Sequence, residues 1–372
     1  MKKVCFVTGI YPPDIGGPAT FIPNLAKKMQ LQNYQCTVLT LSDSESSVKD
    51  DNGLRIIRIS RKISRIWRFP ILVSILLFVG LSNRRFIVNG LYEEFGIANL
   101  FLKRKAIVKI VGDPVWERFR NDSQKFVSLE SFNKVSPPLK YKFQRFLFVF
   151  ALNQSNVIVT PGKSLIPIIL NWKVRPPILH ISNGVCIPEK ISMKRNNKAI
   201  VISRLVSWKN IDKAITSCLN ANLALDIFGE GPEREKLERI SSVSESKICL
   251  YPAVSHETAL DLLSRYSFFI LLSEYEGQSF ALLEAMAQGC VAIVSNIPAN
   301  TDVVEDEVNG HVVSIENQQA LNIDLMNAIS DPVKNRQIRQ NSLKHVEISH
   351  NFEYIAKQFV ELLELDCHQW NR

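Results

Sequence analysis

Glu276 and Glu284 stand eight positions apart in the stretch Glu276-Gly277-Gln278-Ser279-Phe280-Ala281-Leu282-Leu283-Glu284, and Ala285-Met286-Ala287-Gln288-Gly289 follows. An apolar run at 268–272 ahead of the pair has the length and make-up of a buried parallel strand; behind it the spacing turns helical and stops at Gly289. The carboxylates therefore bracket a strand-to-helix turn, with Glu276 in the loop at a strand's carboxyl end and Glu284 about two turns into a helix that begins near Ser279. The backbone N–H groups of Phe280, Ala281 and Leu282 would point out of that helix's N-terminus, where a phosphate or a sugar hydroxyl binds well. Such a site suits a sugar nucleotide. Three more places hold candidate groups: Arg204 and Lys209 just past an apolar segment at 199–203, Gly16 and Gly17 ahead of a helical pattern, and Asp113 past another apolar segment.

These residues need a frame that brings strand ends together. Residues 4–8 read as a strand, 9–18 as a loop rich in glycine and proline, 20–31 as a helix and 37–41 as a second strand, the opening of a doubly wound α/β sheet. Further strands are expected at 55–59, 86–89, 106–111 and 157–160. The alternation then restarts, with strands at 199–203, 224–228, 248–251, 268–272 and 291–294 and helices at 211–218 and 233–240. Two Rossmann-like domains facing across a cleft follow, one over 1–180 and one over 181–350, with a last helical pattern at 352–365 inside a closing segment of 351–372.

A chain of 372 residues has material for two ample cores, and 9% aromatic and 22% charged residues are ordinary for a globular protein. Seven scattered cysteines (Cys5, Cys36, Cys186, Cys218, Cys249, Cys290, Cys367) form no C-x-x-C pair and read as reduced thiols of a cytoplasmic protein. The basic start Met1-Lys2-Lys3 precedes an apolar stretch broken by Gly9 and Tyr11-Pro12-Pro13, too short for a signal peptide. The net charge of +9 is uneven: residues 1–190 hold 28 Lys+Arg against 12 Asp+Glu, and the remainder is acidic. With no zinc-finger spacing and no aromatic RNA-binding pattern, nucleic acid is set aside, and an anionic membrane surface is the expected partner of the basic half.

The E-x7-E frame with its small-residue helix resembles the signature of the group 1 (family 4) retaining glycosyltransferases, whose fold is GT-B. Ser203-Arg204-Leu205-Val206-Ser207-Trp208-Lys209-Asn210 resembles the family's G-R-L-x-x-x-K-G, with Ser203 and Asn210 in place of glycines. The resemblance implies that Arg204 and Lys209 bind the donor diphosphate, two fixed cations offsetting the charge that grows as the glycosidic bond breaks. It also implies that Glu284 binds the ribose hydroxyls and Glu276 the donor sugar. Gly16-Gly17 matches the family's glycine pair, where the backbone can approach the donor closely. Ile181-Ser182-Asn183-Gly184-Val185 and Phe228-Gly229-Glu230-Gly231-Pro232 match two family turns and are expected to be mainly structural. Many members carry a His where Gly112 stands; here Asp113 follows, in a G-D-x-x-W-E variant, and is read as a contact to a sugar hydroxyl or to oxocarbenium-like charge, against an Asx turn before Pro114. The final helix is implied to cross back to the first domain. No metal site is marked, no cofactor is implied beyond the nucleotide-sugar substrate, and the acceptor is a glycan or a lipid-linked glycan in cell-surface polysaccharide biosynthesis.

Two rivals share the fold. A hydrolysing sugar-nucleotide epimerase needs acid–base groups around the sugar, and the missing His counts against it. A non-catalytic nucleotide-sugar binder has Gly112 as its sole support. The run at 69–81, flanked by Arg61, Lys62, Arg65, Trp67, Arg68, Arg84 and Arg85, falls short of the roughly 20 residues of a spanning helix. Read plainly it is a core helix; with the mixed stretch at 140–150 it also fits peripheral attachment at the inner face of the cell membrane.

Overall fold

The structure, a computed structural model, describes residues 2–51, 53–123, 129–134, 138–192, 194–242 and 247–365. Cys367 and the rest of the closing segment past 365 lie outside the described residues. The six other cysteines are free, and burial pushes the thiols of Cys36, Cys218 and Cys290 up to about 12, which keeps them unreactive. The chain divides into two compact units, residues 1–181 with 356 onward, and residues 182–355.

Among the described residues the first unit is built on eight strands: β1 (Lys2–Thr8), β2 (Tyr34–Ser42), β3 (Ser47–Asp51), β4 (Leu54–Ser60), β5 (Arg85–Asn89), β6 (Lys105–Lys109), β7 (Val157–Thr160) and β8 (Ile178–His180). Their order is β3-β4-β2-β1-β5-β6-β7-β8, all neighbours parallel except β3 with β4. Central strands such as Val4-Cys5-Phe6-Val7 are buried on both faces, which is why they read as continuous apolar runs. Helix Gly17–Leu31 covers the sheet with Phe21, Ile22, Leu25 and Met29, each burial contributing about 1.5–3 kcal/mol. The helix Phe352–Glu364 joins this unit from Ala356 on: Phe359 meets Phe21 edge-on at 5.2 Å, and Glu364 pairs with Lys2 and Tyr34. The return falls past 351 because Gly184 packs on Phe352 and Ile355 and a bridge joins Val185 to Asn351, holding the helix's first turn to the second unit.

Helix Arg65–Ser82 corrects the core-helix reading. It is longer than the apolar run because Arg65-Ile66-Trp67-Arg68 enters its first turn, and by length and composition alone it could cross a membrane. Only Leu72, Leu76, Val79 and Gly80 are buried, and Gly80 lies so near helix Tyr92–Leu102 that a Cβ there would fall 2.3 Å from Leu102 Cδ1. Trp67, Phe78 and Leu81 stay 70–71% exposed.

Among the described residues the second unit has six strands, β9 (Asn196–Ile202), β10 (Ala224–Phe228), β11 (Ile248–Tyr251), β12 (Tyr266–Leu271), β13 (Val291–Ser295) and β14 (His311–Val313), all parallel in the order β11-β10-β9-β12-β13-β14. Alternate residues feed separate cores on its two faces: Phe268 and Ile270 pack with helix Ile211–Asn220, Phe269 and Leu271 with helix Phe280–Ala287. The carboxyl ends of β9 and β12, neighbours at the centre, present the loops that carry Arg204, Lys209 and Glu276.

Candidate active site

The cationic loop leaves β9 and is held from beneath. Leu205 is fully buried; its N–H donates to Glu230 O at 2.9 Å, and its carbonyl accepts from Glu233 N at 3.0 Å. A Cβ on Gly229 would lie 1.9 Å from Ser203 O and one on Gly231 2.3 Å from Leu205 O, so the Gly-Glu-Gly turn is the packing surface for this loop. A single helical turn, Ser207–Lys209, ends at Asn210 in the left-handed region (φ 50°), a conformation Asn tolerates in place of glycine. Asn210 Nδ2 donates to Leu272 O at 2.9 Å, and Glu274 N to Trp208 O at 2.9 Å, which staples the loop to the end of β12.

That staple sets Lys209 against Glu276. The two form an ion pair, each side chain about 15% exposed, and Ser273 Oγ donates to the same Glu276 oxygen at 2.7 Å. Arg204 is exposed, stands 5.9 Å from the Trp208 ring and pairs with no carboxylate among the described residues. One cation is thus engaged inside the site and the other open.

Helix Phe280–Ala287 carries the second carboxylate. Ser279 is its N-cap, and its hydroxyl accepts from the Leu282 N–H at 3.3 Å. The N-cap hydroxyl therefore already meets the Leu282 N–H expected to face a ligand; Phe280 and Ala281 form the rest of the first turn. Glu284 is only 8% exposed and takes a 2.7 Å contact from His256 Nε2, while its other oxygen meets no partner among the described residues. The loop between the glutamates is fixed by Gln278, whose Oε1 accepts from Asn183 N at 2.6 Å and whose backbone carbonyl accepts from Asn183 Nδ2 at 3.0 Å. His350 Nδ1 lies 3.1 Å from Asn183 O, so the Ser182-Asn183-Gly184 turn clamps the E-x7-E loop.

His256 and Gln278 were not singled out from the sequence. Gln278 sits inside the motif, and its amide is the group that ties it down; His256 begins a different helix, His256–Leu263, and no local spacing links it to Glu284. The hydrogen bond to Glu284 raises the His256 pKa, against a smaller opposing effect of burial. The pair's contribution to stability is full below the unfolded-state value near 6.5 and fades as pH rises through the raised folded-state value. The melting-temperature gap between wild type and His256→Ala is therefore expected to narrow from about pH 5.5 to about pH 8.5, roughly three units spanning that value; a gap independent of pH would contradict the pairing.

In the first unit, Gly16 has a positive φ (151°), a backbone conformation that residues with a Cβ rarely adopt, and a Cβ there would fall 2.7 Å from Ile10 Cδ1; Gly17 opens helix Gly17–Leu31. Their loop is braced by Arg61, which pairs with Asp14 at 2.6 Å and donates to Gly9 O at 2.7 Å. Asp113 is fully buried: Oδ1 accepts from Val115 N and Trp116 N at 3.0 Å each, and Oδ2 pairs with Arg145. It caps helix Pro114–Ser123, the Asx-type arrangement weighed against a contact to a sugar hydroxyl or to oxocarbenium-like charge, and both of its oxygens have partners within the unit. Arg145 in turn stands 4.5 Å from the Trp172 ring.

Residues 187–345 match the family model for glycosyl transferases group 1. Over 124 residues the chain is 32% identical to the GtfA subunit of the UDP-N-acetylglucosamine--peptide N-acetylglucosaminyltransferase of Streptococcus agalactiae, a match that covers 32% of this chain and 24% of that protein. The chain thus spans about a quarter of that curated relative. Among solved structures, sucrose-phosphate synthase from Thermosynechococcus elongatus superposes with a TM-score of 0.79 at 15% identity, over 97% of this chain and 98% of that one. Anabaena Alr3699/HepE in complex with UDP-glucose gives 0.75 at 14% identity, over 98% and 99%. The fold is GT-B, and residues 187–345 are a domain of the glycosyl transferases group 1 family.

Proposed function

We propose that the chain transfers a hexosyl or N-acetylhexosaminyl group, with retention of anomeric configuration, from a nucleoside-diphosphate sugar to a glycan or lipid-linked acceptor in cell-surface polysaccharide assembly. The observation that carries this reading is the gathering, on adjacent strand ends of one unit, of Arg204, Lys209 and Glu276, beside a helix that holds the buried Glu284. Glu284 accepts from the ribose hydroxyls through the oxygen left without a partner. Arg204 and Lys209 hold the diphosphate, serving in place of a divalent ion. Glu276 faces the donor sugar, and Gly16-Gly17 lets backbone approach the donor. Asp113 is a positioning residue that acts through its helix and through Arg145. As the bond from C1 to the diphosphate oxygen breaks, that oxygen takes the proton of the acceptor hydroxyl on the same face, and the new C1–O bond forms there; no protein base is needed. The UDP-glucose complex of the Anabaena neighbour and the sugar-nucleotide name of the streptococcal relative support a nucleotide-sugar donor. The test is release of nucleoside diphosphate from UDP-, GDP-, dTDP- and ADP-sugars, with and without a lipid-linked glycan fraction. One donor class should turn over in an acceptor-dependent way, and no release from any of them would sink the reading.

The same reading places the protein at the cytoplasmic face of the membrane. Helices Arg65–Ser82, Tyr92–Leu102 and Leu139–Leu152 pack side by side and leave Trp67, Phe78, Phe101, Phe143 and Phe146 exposed among cations such as Arg65 and Lys142. One stripe of helix Arg65–Ser82 is already packed, so it would lie in the interface with its open face in the lipid. Trp67→Ser combined with Phe78→Ser should lower co-sedimentation with phosphatidylglycerol vesicles about tenfold or more. Absence of wild-type binding even at low salt would leave a soluble acceptor as the better reading.

A further inference from the structure

Three strands of the first unit carry four hydrogen-bonding side chains to one face of the sheet near their amino ends. Lys3 of β1 lies beside Gln35 of β2, and Thr37 of β2 beside Arg55 of β4; the period of two along β2 puts all four on the same side. The last turn of helix Arg65–Ser82 borders them, and a cleft of about 80 Å³ remains, bounded by these residues and by Phe78, Val79, Ser82 and Asn83; Thr37 is buried at its base, Lys3 is half-buried, and Gln35 and Arg55 are exposed at its mouth.

The polar groups in it have no work to do within the fold. Lys3 and Arg55 make no ion pair or side-chain hydrogen bond among the described residues, and Thr37, 7% exposed, gives its hydroxyl no partner there. Other cations on this sheet edge are committed: Lys2 to Glu364, Arg85 Nε to Leu363 O at 3.2 Å, and Lys105 to Leu365 O. The helix's own carbonyl end does not need them either, since Asn83 Nδ2 and Ser82 Oγ both donate to Val79 O, at 3.0 and 3.1 Å. Two cations, a buried hydroxyl and an amide around a small cleft form a donor set suited to phosphate oxygens. Phe78, at its rim, is 71% exposed on the apolar helix.

We propose that this cavity binds a phosphate ester, supplied by a phospholipid headgroup at the membrane surface; the choice of source rests on the membrane reading above, the phosphate chemistry does not. It would fix how deep helix Arg65–Ser82 settles, a task that diffuse basic charge cannot perform.

The test pairs Lys3→Gln/Arg55→Gln with a control of equal charge loss at exposed sites on the same unit, Lys27→Gln/Lys173→Gln. Co-sedimentation with phosphatidylglycerol vesicles should fall about tenfold or more in the cavity variant and less than about threefold in the control. Glycerol phosphate should compete with the vesicles for wild type and not for the cavity variant. Equal loss in both variants without competition overturns the site, while wild-type failure to bind vesicles overturns the membrane reading instead. Binding of glycerol phosphate that needs Lys3 and Arg55, with vesicle binding indifferent to them, upholds the phosphate site and overturns its lipid source. Melting temperatures of both variants guard against misfolding.

Discussion

Glu284→Ala and Arg204→Ala are each expected to weaken binding of the donor's nucleoside diphosphate, by between about tenfold and several thousandfold, because removing one partner of a desolvated charged hydrogen bond costs roughly 2–5 kcal/mol. The loss should be greater at Glu284. Its carboxylate is 8% exposed, so any hydroxyl it receives is shielded from water, whereas Arg204 starts exposed and binds in a wetter place. The fold should tolerate both changes: Arg204 pairs with no carboxylate among the described residues, and His256, the partner of Glu284, is 47% exposed and can return to water. Calorimetric titration with the bare diphosphate reads the effect. Wild-type affinity in both variants would remove the donor-site assignment.

Glu276→Ala should separate binding from turnover. Glu276 pairs with Lys209, so its removal frees that ammonium for the diphosphate and should leave bare-diphosphate affinity unchanged or tighter. Turnover should nevertheless fall about a hundredfold or more, since the carboxylate proposed to face the sugar as charge develops at C1 is gone. Lys209→Ala should do the reverse to diphosphate affinity and weaken it. Parallel losses of diphosphate and intact donor in Glu276→Ala would contradict the sugar-facing role.

The sheets and the E-x7-E turn were legible because each is a local pattern. Buried parallel strands are apolar runs, the helix after Ser279 has its N-cap and its small residues in sequence, and Glu276 follows its strand directly. What escaped depends on tertiary placement. β3 is Ser-Val-Lys-Asp-Asp, an edge strand paired on one side with no apolar run to announce it, and β8 and β14 are three residues each. Helix Arg65–Ser82 has the composition of a core helix, and only the packing of Leu72, Leu76, Val79 and Gly80 shows that most of its surface is open. Asp113 could be either a sugar contact or an N-cap by its neighbours Gly112 and Pro114; Arg145, 32 positions away, takes its second oxygen. His256 reaches Glu284 across 28 positions of chain, a distance no spacing rule spans.

The central claim is that the second unit's strand-end cluster is a nucleotide-sugar site, and a thermal-shift comparison of wild type with the double variant Arg204→Ala/Glu284→Ala tests it most directly. UDP, GDP, dTDP and ADP and their sugars would be supplied at saturating concentration. A ligand at a hundred times its Kd stabilises by about 2.7 kcal/mol, which for a domain of this size raises the melting temperature by roughly 5–10 °C. One nucleotide class should produce that rise in wild type and none should in the double variant. No rise with any of them, or an equal rise in both proteins, would contradict the assignment.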